Sequence, residues 1–192
     1  MELKSDIICK GNAWYKVGQG YGYNEKPKFF NTFWASFKLC MAIGILYDKQ
    51  LEDENSAEEE DKMTIPRTMF NRNETEMQFF FQSAILTSNS INFSEKDRLY
   101  LAFSEDISEE EMEGMDYEIL TKDVSEEALN FDKIAFLKKF ANYGVTRLVE
   151  NLSDNDCETM ENLATFLIDS YNGETDELIK MKEVEELIED IE

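Results

Sequence analysis

The chain has 192 residues, 19 Lys plus Arg against 42 Asp plus Glu, a net charge of −23 and no histidine. Acidity on this scale excludes tight duplex binding by counterion release, and the missing imidazole removes the commonest acid–base group. The charge is also unevenly placed, because residues 1–50 hold seven bases and four acids while the other 142 hold twelve and thirty-eight.

Residues 1–28 read as an irregular or short-β N-terminal arm. Lys10, Trp14, Tyr15, Lys16, Tyr21, Tyr23, Lys26 and Lys28 alternate cations with aromatic rings around Gly18, Gly20 and Gly22. Such a pattern suits an arm laid over a core with its rings packed inward. The other reading is a surface that stacks bases or meets lipid headgroups. The glycine spacing lacks the end of a dinucleotide fingerprint and its strand–turn–helix setting.

From Phe29 the period turns helical. Phe30, Phe33, Trp34, Phe37, Met41 and Ile45 form one stripe, and Leu39, Ala42, Ile43 and Leu46 fill the other side, which predicts a central, buried helix. Gly44 near its end marks either a close helix contact or the start of unwinding. Residues 52–61 then carry seven acids and no base, and read as an exposed, mobile loop that includes Glu58, Glu59, Glu60 and Asp61. The stretch from Ile65 through Pro66 to Phe70 reads as extended chain or a short turn.

A further helix is expected to start at Asn73, with Glu76 in the capping-box position and Met77, Phe80, Phe81, Ala84 and Ile85 along it. Ser94 and Asp97 signal another start, followed by Leu99 to Phe103. Residues 105–118 hold eight acids and no base, and Ser108 with Glu109, Glu110, Glu111 and Glu113 reads as a short acidic helix.

Asp132 or Asn130 opens the clearest amphipathic helix, with Ile134, Leu137, Ala141, Val145, Leu148 and Leu152 as its stripe and Phe136 and Phe140 widening it. Ser153 precedes a helix with Met160, Leu163, Ala164, Leu167, Ile168 and Tyr171 on one face, stopped by Gly173. Thr175 starts a last helix whose stripe is Met181, Val184, Leu187, Ile188 and Ile191, narrow enough to suit pairing with a copy of itself. The expectation is a mainly α protein: an arm over 1–28, then one compact acidic domain over 29–192, with five to seven helices in all.

No signal-peptide h-region follows Met1, and Asn31 and Lys38 break the most apolar stretch, residues 29–47. The expected setting is cytoplasmic and away from membranes, with Cys9, Cys40 and Cys157 as reduced thiols. Without histidine there is no Ser-His-Asp or Cys-His arrangement, and no paired-cysteine spacing, Walker A sequence or EF-hand loop occurs. The acids from Asp154 to Glu158 suit a helix N-terminus, which the macrodipole favours. No metal, cofactor or catalytic residue is expected.

Two blocks, Phe33 to Ile45 and Phe140 to Leu148, resemble elements of the small accessory proteins found with bacterial DNA phosphorothioation (Dnd) gene clusters. The first runs from an aromatic through small and apolar residues past Gly44. The second reads Phe140-Ala141-Asn142-Tyr143-Gly144. The resemblance covers about twenty-two residues and implies a non-catalytic accessory protein in a DNA-modification or antiphage system. The acidic insert at 52–61 and the glycine-aromatic arm depart from that family.

Three function classes follow. The first is an adaptor that meets a protein with a basic surface, part of a nucleic-acid-handling complex, without itself binding duplex. The second is a phage-encoded nucleic-acid mimic whose carboxylates occupy a nuclease or DNA-binding protein, and the third is an enzyme. Acidity that serves solubility alone is the plainest alternative. Candidate partner-binding residues are Glu58, Glu59, Glu60, Asp61, Glu109, Glu110, Glu111 and Glu113. Asn142 and Gly144 join them as a notch in an otherwise strong helical stripe, the alternative being close packing of another backbone there.

Overall fold

The computed structural model describes residues 4–20, 30, 32–54, 62–104, 123–153, 156–173 and 175. The order is β1 (Ile7–Lys10), α1 (Asn12–Tyr15) continuing as a π-helical turn over Lys16–Gly20, α2 (Phe33–Leu46), β2 (Lys62–Ile65) and α3 (Arg67–Arg72). Then come α4 (Glu74–Thr87), α5 (Glu95–Phe103), α6 (Glu126–Leu129), α7 (Lys133–Glu150) and α8 (Asp156–Asn172). The chain is mainly helical, with eight helices among the described residues and one short antiparallel sheet. The three helices of six residues or fewer (α1, α3 and α6) are single turns that hydrophobic periodicity does not register.

The helix α2 is apolar on nearly every side and pairs with α7 through the centre of the molecule. Phe37, Cys40 and Met41 of α2 and Leu137, Phe140, Ala141, Val145 and Leu148 of α7 are almost wholly buried in one core. Two glycines set how near the helices come. A Cβ on Gly144 would stand 1.8 Å from the Cys40 carbonyl oxygen, and one on Gly44 would stand 2.1 Å from that of Phe140. No side chain fits at either point, so the backbones touch.

Local signals place the ends. Thr32 caps α2 by accepting from Ala35 N, Ser94 caps α5 by accepting from Asp97 N, and Asp132 caps α7 by accepting from Ile134 N and Ala135 N. Asn73 departs from expectation: its side chain makes no cap to α4 and instead donates to the Met69 carbonyl at the end of α3. At the end of α2, Asp48 takes a left-handed conformation (φ 47°), and Lys49 N closes the turn on the Gly44 carbonyl. The Asp48 carboxylate accepts from Ser88 Oγ and Asn89 N, which holds this unusual backbone and ties it to the exit of α4.

The sheet joins residues far apart in sequence: Ile7 lies opposite Ile65 and Lys10 opposite Lys62. Its inward side chains (Ile7, Cys9 and Ile65) belong to the main core, as do Trp14 and Val17 just after it. Trp14 is 1% exposed and meets Phe33 edge-on at 5.5 Å and Phe37 at 5.8 Å. This part of the arm covers the core and is built into it. The lysines and tyrosines of 21–28 lie outside the described residues.

Candidate functional site

The expected partner-binding residues divide into two groups. Glu58, Glu59, Glu60, Asp61, Glu109, Glu110, Glu111 and Glu113 lie outside the described residues, as do the expected short acidic helix and the last helix beyond Thr175. Asn142 and Gly144 lie inside them, and both serve the interior. Gly144 is the contact with α2 described above.

Asn142 is the hub of a polar network. Its Oδ1 accepts from Trp14 Nε1 at 2.9 Å, and its Nδ2 donates to the Leu51 carbonyl and to Asp53 Oδ1, both at 3.1 Å. Lys138 Nζ donates to the other Asp53 oxygen at 2.6 Å. The carboxamide thus links the arm, the segment after α2, and α7. It satisfies a buried indole N–H that would otherwise cost about 1–3 kcal/mol.

The start of the expected mobile loop is accordingly anchored. Asp53 pairs with Lys138, Glu52 pairs with Lys139 at 2.5 Å, Leu51 N donates to the Lys139 carbonyl, and Glu54 accepts from Asn12 N. The acids at 52–54 are held by partners distant in sequence, Lys138 and Lys139 on α7 and Asn12 at the start of α1. A cleft of about 40 Å³ lies beside this network, lined by Lys10, Trp14, Glu52, Glu54, Asn142 and Thr146 among others. It has room for a water or two and is far below the roughly 300 Å³ of a small-molecule site.

Two of the three cysteine thiols are subdued. Burial pushes the Cys9 thiol up to about 12, with Asp53 adding to the rise and Lys138 opposing it. Burial also raises Cys40 well above its ordinary value, and the nearby Cys9 adds to that. Cys157 is exposed. Asp97 is pulled up by burial, yet hydrogen bonds outweigh this and hold it below the usual carboxylate range. They come from Ser125 N at 2.7 Å and from the Ser94 hydroxyl at 2.8 Å.

The few cations past residue 50 are largely committed internally. Besides Lys138 and Lys139, Arg147 pairs with Glu150 and Lys96 with Asp123. Lys133 donates to the Leu101 carbonyl. Arg98 donates to four carbonyls, those of Ile85, Ser88, Ile91 and Phe93, and closes the turn between α4 and α5.

The surface that sequence reasoning missed is on α8. Its buried side is Thr159, Leu163, Phe166 and Ser170, seated on a small cluster in which Phe166 stacks on Tyr47 at 6.4 Å and Ser170 Oγ meets Tyr47 Oη at 2.9 Å. Of the apolar face expected from sequence only Leu163 is buried. Met160 is 58% exposed, Ile168 59% and Tyr171 88%, with Ala164 and Leu167 exposed between them. The period was legible; which side of it turned inward was not.

No family model, curated protein or solved structure matches this chain. Among the described residues no group of His, Cys, Asp or Glu is arranged to hold a metal ion, and no helix is long and apolar enough to cross a membrane.

Proposed function

We propose that this chain is a non-enzymatic, acidic adaptor that docks onto a larger partner with a basic surface, of the kind that handles nucleic acid. One observation carries the reading. Past residue 50 acids outnumber bases by thirty-eight to twelve, and many of those bases already have partners within the chain, so the charge left for a partner is negative. Such a surface steers association with basic proteins and sets partner choice more than it adds affinity.

The likeness of residues 33–45 and 140–148 to phosphorothioation accessory proteins supports a setting in bacterial DNA modification or antiphage defence. The two blocks also have an intramolecular task, because Gly44 and Gly144 within them are the points where α2 and α7 touch.

The test is affinity purification of the tagged protein from its host at low salt, with mass spectrometry of what is retained. Recovery of basic nucleic-acid-handling proteins, released by salt and not by added DNA, is the expected result. Release by DNA moves the reading to nucleic-acid mimicry, and recovery of no basic protein overturns both.

A further inference from the structure

The outward side of α8 is an apolar stripe with no cover among the described residues. Met160, Ala164, Leu167, Ile168 and Tyr171 follow one another at i, i+4, i+7, i+8 and i+11, which puts them on one face of the helix. This face is turned roughly a right angle or more from the buried one. An isolated exposed leucine is ordinary, but a continuous stripe of this length ending in an 88% exposed tyrosine is not.

We propose that this stripe is the docking face for a basic amphipathic helix of another protein, an inference that rests on reading the chain as an acidic binder. The spacing is the one that helix-in-groove recognition uses, and Met and Tyr are residues that adapt to or anchor such contacts.

Charge decides between occupants. The helix holds Asp156, Glu158, Glu161 and Asp169 and no Lys or Arg, with Glu161 one turn from Ala164 and two from Ile168. A second copy would bring another −23 against this face. The chain's own residues 176–192 have a matching apolar stripe but eight acids to two lysines. Both meet α8 with like charge, whereas a lysine-rich helix meets it with complementary charge along the same edge.

The test uses the full chain and a labelled synthetic Leu/Lys amphipathic helix of about 18 residues, with a Leu/Glu helix of the same pattern as control. Fluorescence anisotropy is expected to show salt-sensitive binding of the Leu/Lys helix alone. Ile168→Gln with Tyr171→Gln should weaken it about tenfold or more, while Phe79→Gln, at a ring 66% exposed on α4, should not. All three side chains are exposed, and unchanged thermal unfolding checks that the fold is intact.

Absent binding, or binding that the α8 pair leaves unchanged, overturns the proposal. So does a dimer in sedimentation that the α8 pair dissolves, which makes a second copy the occupant. Peptide binding that strengthens when Leu187 and Ile188 are changed to Gln overturns it too, in favour of the chain's own C-terminal segment. The adaptor reading fails separately: a protein that binds the peptide through α8 but captures no basic partner keeps this inference and loses that one. Capture undiminished in the α8 pair does the reverse.

Discussion

Gly44 and Gly144 lie one hundred positions apart in sequence and admit each other's helices to backbone contact, each against a carbonyl of the opposite helix: Phe140 for Gly44 and Cys40 for Gly144. Neither glycine has the positive φ that would make its backbone conformation the reason for it. Space alone selects them.

Alanine at either position should therefore destabilise, although alanine favours helix by about 1 kcal/mol. The overpacking term is larger, and a net loss of about 2 kcal/mol is expected for Gly144→Ala in urea unfolding. Because both substitutions push apart the same two helices, Gly44→Ala with Gly144→Ala should cost less than the sum of the singles.

The Trp14–Asn142 hydrogen bond should behave as a coupled pair. Asn142→Leu strands the indole N–H and the Leu51 carbonyl, and should cost about 2–4 kcal/mol. Trp14→Phe should cost less, and the double-mutant cycle should show a coupling of about 1 kcal/mol. Additive losses would mean that the network does not act as one unit.

Thiol reactivity separates the three cysteines. At pH 8 one thiol, Cys157, should react promptly with Ellman's reagent, and Cys9 and Cys40 only at the rate of opening. Their raised values mean that the folded state holds these protons more tightly than the unfolded chain. The stability this contributes is complete below pH about 8.5 and is lost as pH rises through the folded values, about 12 for Cys9. Prompt labelling of all three in the native protein would contradict the burial.

Asp97 gives the opposite limb. Its folded value lies below the unfolded one, so its contribution is complete above pH about 4 and is lost as pH falls through the folded value. Asp97→Asn should cost about 2 kcal/mol at pH 7. The gap from the parent should narrow in urea melts near pH 3.

Much of the fold was legible because several of its signals are local. The stripes of α2, α4 and α7 and the caps Ser94 and Asp132 are each written within a few residues. What stayed hidden depends on distant partners. Asp53 reads as solvated charge until Lys138 and Asn142 are brought to it. Asn73 faces two helix ends, and the carbonyl of Met69 takes its side chain. For α8 the deciding element is Tyr47, which is wholly buried, so its hydroxyl needs partners. Ser170 and Thr175 supply them and Phe166 offers its ring, so the face with hydroxyls turns inward and the more apolar one is left outside. Hydropathy alone favours the other choice.

The contact between Gly44 and Gly144 has a consequence during synthesis. When α2 leaves the ribosome its mate has not been translated, and about a hundred further codons pass before α7 follows, some 5–20 seconds at ordinary elongation rates. Through that interval α2, the most apolar of the described helices, lacks its main packing partner, and a loop of about ninety residues must close before the core is complete. Newborn chains of this protein should accordingly be clients of chaperones that hold hydrophobic helices, and the second half of the message, rather than the first, sets when they are released.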